Sequence, residues 1–325
     1  MKPPSGRAKV DFAVKPHSFW GMKPHTDIPV VIGDRLAYSD VGAGPPLVFL
    51  HGYGGNRVTW MPWLDTLARD YRCIVVDMTG FGVAPRPAGA DVSLVGLANA
   101  VVDLIERLDL TDVSLVGHSL GGGVAMLTAL TLHDSDRPEN RSRVRRVVSV
   151  AGATYPQRPP PFVRLTQNRA VAEFMFRVIP KQALIWAIYR TVVSRPEAAT
   201  LERITAYAEP FKRAVTQKTA IDVAQQIIPP DAEQRVARYA ELGIPVLCLW
   251  GRDDRIVPLW VGQRLAAEMP GGRFVVLERC GHMPTEEAPA ESLEIMLEFL
   301  RSTAHSPAHP VRTPDSEASA AADIF

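Results

Sequence analysis

The chain has little cysteine, little net charge and no long apolar run. Its three cysteines, Cys73, Cys248 and Cys280, are too few and too scattered for a disulfide framework or a C-x-x-C metal site. Reduced thiols of this kind are typical of a cytoplasmic protein, and residues 1–15 lack the apolar stretch of a secretory signal. The formal net charge of +1 gives no electrostatic reason to expect nucleic acid, and no run of about 18 apolar residues would supply an integral membrane segment.

Motifs for nucleotides and metals are also missing. No G-x-G-x-x-G opens a predicted helix, no G-K-[ST] follows a glycine-rich segment, and no H-E-x-x-H or Cys/His cluster occurs. We therefore expect neither a cofactor nor a metal, and a small molecule as the partner. The sequence gives no indication of the oligomeric state.

The apolar residues, 46% of the chain, follow an alternating pattern. Short apolar runs alternate with segments in which apolar residues recur every three or four positions, as in strands followed by helices. This predicts an α/β protein whose mostly parallel sheet carries helices on both faces. Strands are expected at residues 30–32, 35–39, 46–50, 73–77, 113–116, 147–151, 244–250 and 273–277, and helices at 94–108, 120–132, 259–268 and 289–300.

The alternation stops between residues 154 and 242. This stretch opens with a cluster of prolines and continues with helical patterns near residues 170–179, 182–193 and 196–208, which predicts a helical cap inserted between two strands. Its apolar residues are too many for a freely exposed insertion. The predicted organisation is a flexible N-terminal segment at 1–26, a core at 27–153 and 243–301, the cap at 154–242 and a disordered tail at 302–325.

Residues 117–121 read Gly-His-Ser-Leu-Gly and lie between an apolar run and a predicted helix. G-x-S-x-G in this context is a nucleophile elbow, in which a sharp strand-to-helix turn exposes the central serine above the sheet. The glycines on either side leave room for the strand and the helix to approach each other. Ser119 is therefore the candidate nucleophile.

A serine hydroxyl needs a base within hydrogen-bond reach. His282 lies in the loop after the last predicted strand, and that loop would end at the same edge of the sheet as Ser119. His118 is adjacent to Ser119, but the sharp turn would aim its side chain elsewhere. His51 follows a strand and is expected to anchor its own loop. We interpret His118 and His51 as structural and His282 as the candidate base.

The base in turn needs a carboxylate to orient it. Asp253 and Asp254 follow the strand at residues 244–250, and only one of the two can point inward from the loop. Asp254, at the fourth place of G-x-x-D, is the candidate, and Asp253 is interpreted as solvated or as capping the loop.

A tetrahedral intermediate also needs backbone N–H donors for its negatively charged oxygen. The amide of Leu120, immediately after the serine, is one candidate. The loop at residues 51–56 reads His-Gly-Tyr-Gly-Gly-Asn, and its glycines permit an amide to turn toward the substrate. The amide of Tyr53 is the second candidate.

Together these motifs resemble the α/β-hydrolase superfamily over residues 27–301. The resemblance rests on His51-Gly52 with Trp60 downstream, on Asp-Met-Thr-Gly-Phe-Gly at 77–82, on the elbow, on residues 251–258 and on Gly281-His282. It implies an α/β-hydrolase fold with an eight-stranded sheet, one antiparallel strand and a helical cap before the strand that carries the acid. It also implies a triad of Ser119, Asp254 and His282, and an oxyanion hole formed by the amides of Tyr53 and Leu120.

The same resemblance suggests an activity. Haloalkane dehalogenases and epoxide hydrolases carry aspartate at the elbow, so Ser119 argues against both. We expect a serine esterase or lipase that cleaves carboxylic esters with apolar acyl or aromatic groups through an acyl-enzyme. Carbon–carbon bond hydrolases of meta-cleavage products are an alternative, although many of them carry Asn at the position of His118. Cofactor-free perhydrolases and haloperoxidases share the triad, and a small-ligand receptor is the non-enzyme alternative.

Overall fold

The computed structural model describes residues 28–303, and these contain an eight-stranded sheet. Its strands are β1 (Val31–Ile32), β2 (Ala37–Val41), β3 (Pro46–Leu50), β4 (Arg72–Asp77), β5 (Val113–His118), β6 (Val144–Val150), β7 (Val246–Gly251) and β8 (Arg273–Leu277). The spatial order is β1-β2-β4-β3-β5-β6-β7-β8. Strand β2 runs antiparallel to both of its neighbours, and the other pairs are parallel. The predicted α/β-hydrolase fold is confirmed.

Both faces of the central strands are buried. In β3, Leu47 and Phe49 point into one apolar core, while Val48 and Leu50 point into another on the opposite face. Side chains of a strand alternate between the faces, so a strand covered on both sides must be apolar at every position. This explains why the strands appear in the sequence as continuous apolar runs.

Thirteen helices lie among the described residues. They are α1 (Met61–Leu67), α2 (Leu94–Arg107), α3 (Leu120–His133), α4 (Pro138–Arg141), α5 (Pro161–Gln167), α6 (Arg169–Val178), α7 (Lys181–Val192), α8 (Leu201–Ala208), α9 (Ala214–Gln225), α10 (Ala232–Val236), α11 (Leu259–Glu268), α12 (Pro284–Glu287) and α13 (Pro289–Ser302). Helices α1 and α13 contribute Trp63 and Phe299 to the core of Phe49. Helices α2, α3 and α11 pack into the core on the other face.

One predicted helix is wrong. Residues 196–208 form a 3-10 turn at Pro196–Ala198 and the separate helix α8. The break lies at Thr200, whose backbone is extended and whose Oγ1 accepts a hydrogen bond from Arg203 N at 3.3 Å. A threonine that caps a helix in this way starts a new helix and does not continue the preceding turn.

Six helices were not predicted from the sequence: α1, α4, α5, α9, α10 and α12. Helix α5 begins at Pro161 within the proline cluster, because a proline at the first helical position removes no hydrogen bond that the helix needs. Helix α9 buries Thr216, Thr219 and Asp222, so apolar spacing does not mark its inner face.

Helices α5 to α10 form a helical insertion between β6 and β7, within the stretch where the sequence predicts a cap. The insertion is bound to the loops that follow β3 and β4. Asn56 Nδ2 donates to Ala206 O at 3.1 Å, and Arg213 Nη1 donates to Gly82 O at 2.6 Å. The insertion therefore lies at the carboxyl ends of these strands, where ligands bind in open α/β sheets.

The segment expected to be flexible at residues 1–26 lies outside the described residues. The tail expected at 302–325 does so as well except at its start, because Ser302 is the last residue of α13 and Thr303 caps it. Within residues 28–303, no helix combines the length and the apolar character needed to cross a membrane.

Asp77 ends β4 and is 1% exposed. Its Oδ1 accepts a hydrogen bond from Arg57 N at 2.7 Å and its Oδ2 one from Val83 N at 3.0 Å. We expect Asp77→Ala to lower the free energy of unfolding by about 2–4 kcal/mol, because two loop N–H groups lose a charged acceptor. Urea denaturation measures the difference. The exposed Asp70→Ala is the control and should change by less than about 0.5 kcal/mol; an equal loss in both variants would contradict the prediction.

Candidate active site

Ser119 joins β5 to α3 in a strained backbone conformation. Its φ is +53° and its ψ is −120°, which side-chain-bearing residues rarely adopt. Three hydrogen bonds hold it there: Ser119 N donates to Val150 O at 3.1 Å, and Ser119 O accepts from Gly122 N at 2.9 Å and from Ala153 N at 2.8 Å. Both the N–H and the carbonyl oxygen of Ser119 are thus hydrogen-bonded, and these bonds fix the sharp turn of a nucleophile elbow.

The two glycines of the pentapeptide are needed because of close backbone contacts. A Cβ at Gly117 would lie 2.2 Å from Gly121 O, and a Cβ at Gly121 would lie 2.1 Å from Leu50 O. Any larger residue would push α3 away from the sheet and Ser119 with it.

His282 and Asp254, which are 28 residues apart in the chain, are in direct contact. His282 Nδ1 lies 2.9 Å from Asp254 Oδ2, and the two side chains are 5% and 0% exposed. Asp254 Oδ1 accepts hydrogen bonds from the N–H groups of Ile256 and Val257 at 2.8 and 3.0 Å. An Nδ1–H that donates to the carboxylate leaves Nε2 as an acceptor, which is the tautomer that a general base needs.

The structure does not bring Asp253 to the histidine. Its side chain is exposed, and its backbone N donates to Cys280 O at 2.9 Å. Of the two aspartates, the one that contacts His282 is therefore Asp254, the candidate named from the sequence.

The other two histidines near the site anchor loops. His118 Nε2 donates to His282 O at 2.8 Å, and burial lowers the pKa of His118 to about 3. His51 Nδ1 donates to Gly52 O at 2.8 Å, and its Nε2 accepts from Met78 N at 3.0 Å. Burial also lowers the pKa of His51. Both imidazoles are neutral, and each is hydrogen-bonded to backbone groups of neighbouring loops. This agrees with the interpretation of His51 and His118 as structural residues.

Tyr53 and Leu120 line the same cavity as Ser119 and His282. The Tyr53 loop passes close to the serine, since a Cβ on Gly52 would lie 3.1 Å from Ser119 Cβ. Among residues 28–303, no acceptor is hydrogen-bonded to the backbone N–H of Tyr53 or Leu120. The Tyr53 side chain extends into the insertion instead, where its hydroxyl donates to Ala220 O at 2.8 Å. Donors in this position are available to an oxygen bound beside Ser119.

The cavity measures about 190 Å³ and is formed largely by the helical insertion. Its apolar lining includes Phe162, Val163, Ile185, Ile188, Phe211 and Ile227. Among the described residues, Arg235 is the one arginine or lysine that lines it, and this arginine is paired with Asp231 at 2.7 Å. An apolar cavity with few polar groups suits the apolar part of a small molecule.

Two buried acids beside the site were not found from the sequence. Glu286 accepts hydrogen bonds from the hydroxyls of Tyr189 and Tyr207, both of which line the cavity, and its Oε2 lies 3.5 Å from Arg203 Nε. Burial raises the pKa of Glu286. Its neighbour Glu287 is 5% exposed. The sequence carries no signal for either residue, because acidic residues at the start of a helix are common on protein surfaces.

Comparison with known proteins finds relatives over most of the chain. Residues 47–295 match the alpha/beta hydrolase family. The chain is 30% identical, over 283 residues, to the 2-hydroxy-6-oxononadienedioate/2-hydroxy-6-oxononatrienedioate hydrolase of Burkholderia vietnamiensis, an alignment that covers 82% of this chain and 91% of that protein.

Two solved structures have a similar fold. An alpha/beta hydrolase fold protein from Burkholderia ambifaria is 26% identical with a TM-score of 0.72, and 84% of this chain and 98% of that one are covered. A thermophilic esterase from Thermogutta terrifontis is 24% identical with a TM-score of 0.65, and 82% of this chain and 93% of that one are covered. The sheet topology, the elbow at Ser119 and the match over residues 47–295 agree, and the chain belongs to the alpha/beta hydrolase family.

Proposed function

We propose that the protein is a serine hydrolase that cleaves carboxylic esters through an acyl-enzyme intermediate. The observation that carries the proposal is the contact between His282 Nδ1 and Asp254 Oδ2, together with the strained Ser119, which lines the same apolar cavity as His282. A serine, a histidine and a buried carboxylate that contacts this histidine are the groups that acyl transfer requires.

In the proposed mechanism, Ser119 Oγ attacks the ester carbonyl while His282 Nε2 takes the serine proton. Asp254 keeps the imidazole in the correct tautomer and stabilises its protonated form. The amides of Tyr53 and Leu120 donate to the oxygen that becomes negatively charged. His282 then gives the proton to the departing alcohol, and a water activated by His282 releases the acid from Ser119.

The substrate in this proposal is an ester with an apolar acyl or aromatic group. A cavity of about 190 Å³ with aromatic and aliphatic walls supports this choice. The helical insertion, within residues 154–242, acts as the cap: it covers the carboxyl ends of β3 and β4 and separates the cavity from bulk solvent.

A second candidate is carbon–carbon bond hydrolysis of meta-cleavage products. The 30% identical relative from Burkholderia vietnamiensis, a hydrolase of a dioate, favours it. A dioate carries two carboxylates, however, and the described cavity lining contains Arg235 as its one arginine or lysine, already paired with an aspartate. The lining therefore fits a neutral ester better than a dianion.

The two candidates share one nucleophile and are separated by their substrates. We expect the wild type to cleave p-nitrophenyl esters from acetate to palmitate faster than 2-hydroxy-6-oxononadienedioate. Ser119→Ala should lower kcat/KM by roughly 10⁴-fold or more, because no other group can form the acyl-enzyme. The exposed Ser142→Ala is the matched control and should keep full activity. Near-normal turnover by Ser119→Ala would refute the mechanism, and cleavage of the dioate alone would favour the second candidate.

The two aspartates give a second test. We expect Asp254→Asn to lower kcat by roughly 10⁴-fold, because an amide in contact with Nδ1 favours the wrong tautomer of His282. Asp253→Asn makes the same chemical change on an exposed side chain one residue away and should leave kcat within about twofold, as surface changes usually do. Steady-state kinetics at pH 8 measures both. Equal losses in the two variants would remove Asp254 from its proposed role.

The effect of burial on His118 can be tested by stability. Burial holds the pKa of His118 at about 3 in the folded protein, whereas an unfolded histidine takes up a proton below about pH 6.5. The unfolded state then binds more protons, so His118 makes stability fall as the pH falls below 6.5, by about 2 kcal/mol at pH 5. His118→Asn should remove that share of the loss between pH 7 and pH 5 in guanidinium denaturation. An unchanged loss would mean that His118 is charged in the folded protein.

A further inference from the structure

The carboxylate of Glu287 joins two separate segments of the chain. Oε1 accepts hydrogen bonds from Gly281 N at 3.0 Å and from Met283 N at 3.1 Å, the two residues that flank His282. Oε2 accepts from Ser194 N at 2.7 Å, Ser194 Oγ at 3.0 Å and Arg195 N at 3.1 Å, in the segment that follows α7. Five donors saturate a carboxylate, which offers about four lone-pair positions.

Backbone contacts join the same two segments. His282 N donates to Val192 O, the last residue of α7, at 2.8 Å. Arg195 Nε donates to Arg279 O at 2.8 Å. A Cβ at Gly281 would lie 2.7 Å from Ser194 N, so a glycine before the histidine is what permits this approach. The loop of His282 is therefore held against the helical insertion, as well as against the loop of Asp254.

We infer that Glu287 is a positioning residue that fixes His282 between Asp254 and Ser119 and couples this histidine to the helical insertion. The inference rests on the proposed function, in which His282 is the base. The carboxylate binds the backbone on both sides of His282, so its loss frees the segment that sets where Nε2 lies. A displacement of about 1 Å at a reacting group can cost roughly 100-fold in rate.

Replacement by glutamine tests the carboxylate with little change of shape. Glutamine has one acceptor oxygen and one NH₂ group. In Glu287→Gln the NH₂ therefore faces backbone N–H donors on one side, either those of Ser194 and Arg195 or those of Gly281 and Met283, and these donors lose their acceptor. The adjacent Glu286 provides a comparison on the same short helix. Besides its ion pair with Arg203, its hydrogen-bond partners are hydroxyls of the cavity wall, which can both donate to and accept from a glutamine. Glu294→Gln on the exposed face of α13 is the control for the loss of charge.

The experiment measures three quantities for each variant: the unfolding midpoint in urea, kcat and KM for a p-nitrophenyl ester, and the rate at which a p-nitrophenyl phosphonate labels Ser119. We expect folded Glu287→Gln to lose 10- to 100-fold in kcat and in labelling rate, with KM within about threefold of the wild type. Glu286→Gln should change KM more than kcat, and Glu294→Gln should change neither.

A double-variant cycle separates positioning from simple destabilisation. If Glu287 acts through His282 and Asp254, adding Glu287→Gln to Asp254→Asn should lower the labelling rate by less than threefold, since the geometry that Glu287 protects is already lost. Additive losses would overturn the inference, as would a folded Glu287→Gln with wild-type kcat.

If Glu287→Gln does not fold, Ser194→Ala is the second variant. It removes one of the five donors and should lower kcat about threefold, and an unchanged kcat in this variant would overturn the inference. A wild type whose Ser119 takes no label overturns the proposed function instead.

Discussion

The contact between His282 Nδ1 and Asp254 Oδ2 depends on the packing of two loops at one edge of the sheet. Arg252 N donates to Leu277 O and Asp253 N to Cys280 O, so the loop after β7 is bound to the chain that leaves β8. The second oxygen of Asp254 is occupied by N–H groups of its own loop. In the proposed mechanism, an acid held in this way orients the imidazole of His282 without moving itself.

The helical insertion takes part in building the site as well as covering it. Tyr53, in the loop after β3, donates its hydroxyl to the insertion at Ala220, and His282 donates its backbone N–H to Val192 at the end of α7. Ser119 and Asp254 belong to the sheet and its loops alone. Changes in the insertion can therefore alter the cavity and the histidine loop, while the serine and the acid stay fixed by the core.

The secondary structure could be predicted well where apolar spacing is regular and poorly where polar groups are buried. Strand β3 and helix α11 have the predicted bounds, because their inner faces are wholly apolar. Helix α9 was missed because threonines and an aspartate form part of its buried face. The single helix expected at residues 196–208 is divided at Thr200, where a side-chain hydrogen bond to the backbone outweighs the apolar spacing.

The sequence by itself determined the fold and the sharp turn at Ser119, because apolar alternation and the G-x-S-x-G pattern are local patterns that only a few backbone arrangements satisfy. Only the tertiary structure shows that Asp254 contacts His282 and Asp253 does not, since neighbouring side chains in a loop differ by direction and not by residue type. It also decided that Glu287 is buried with five donors. Those donors come from two segments about 90 residues apart in the chain. The two segments are brought together by the packing of the helical insertion on the core, and no local sequence pattern encodes that packing.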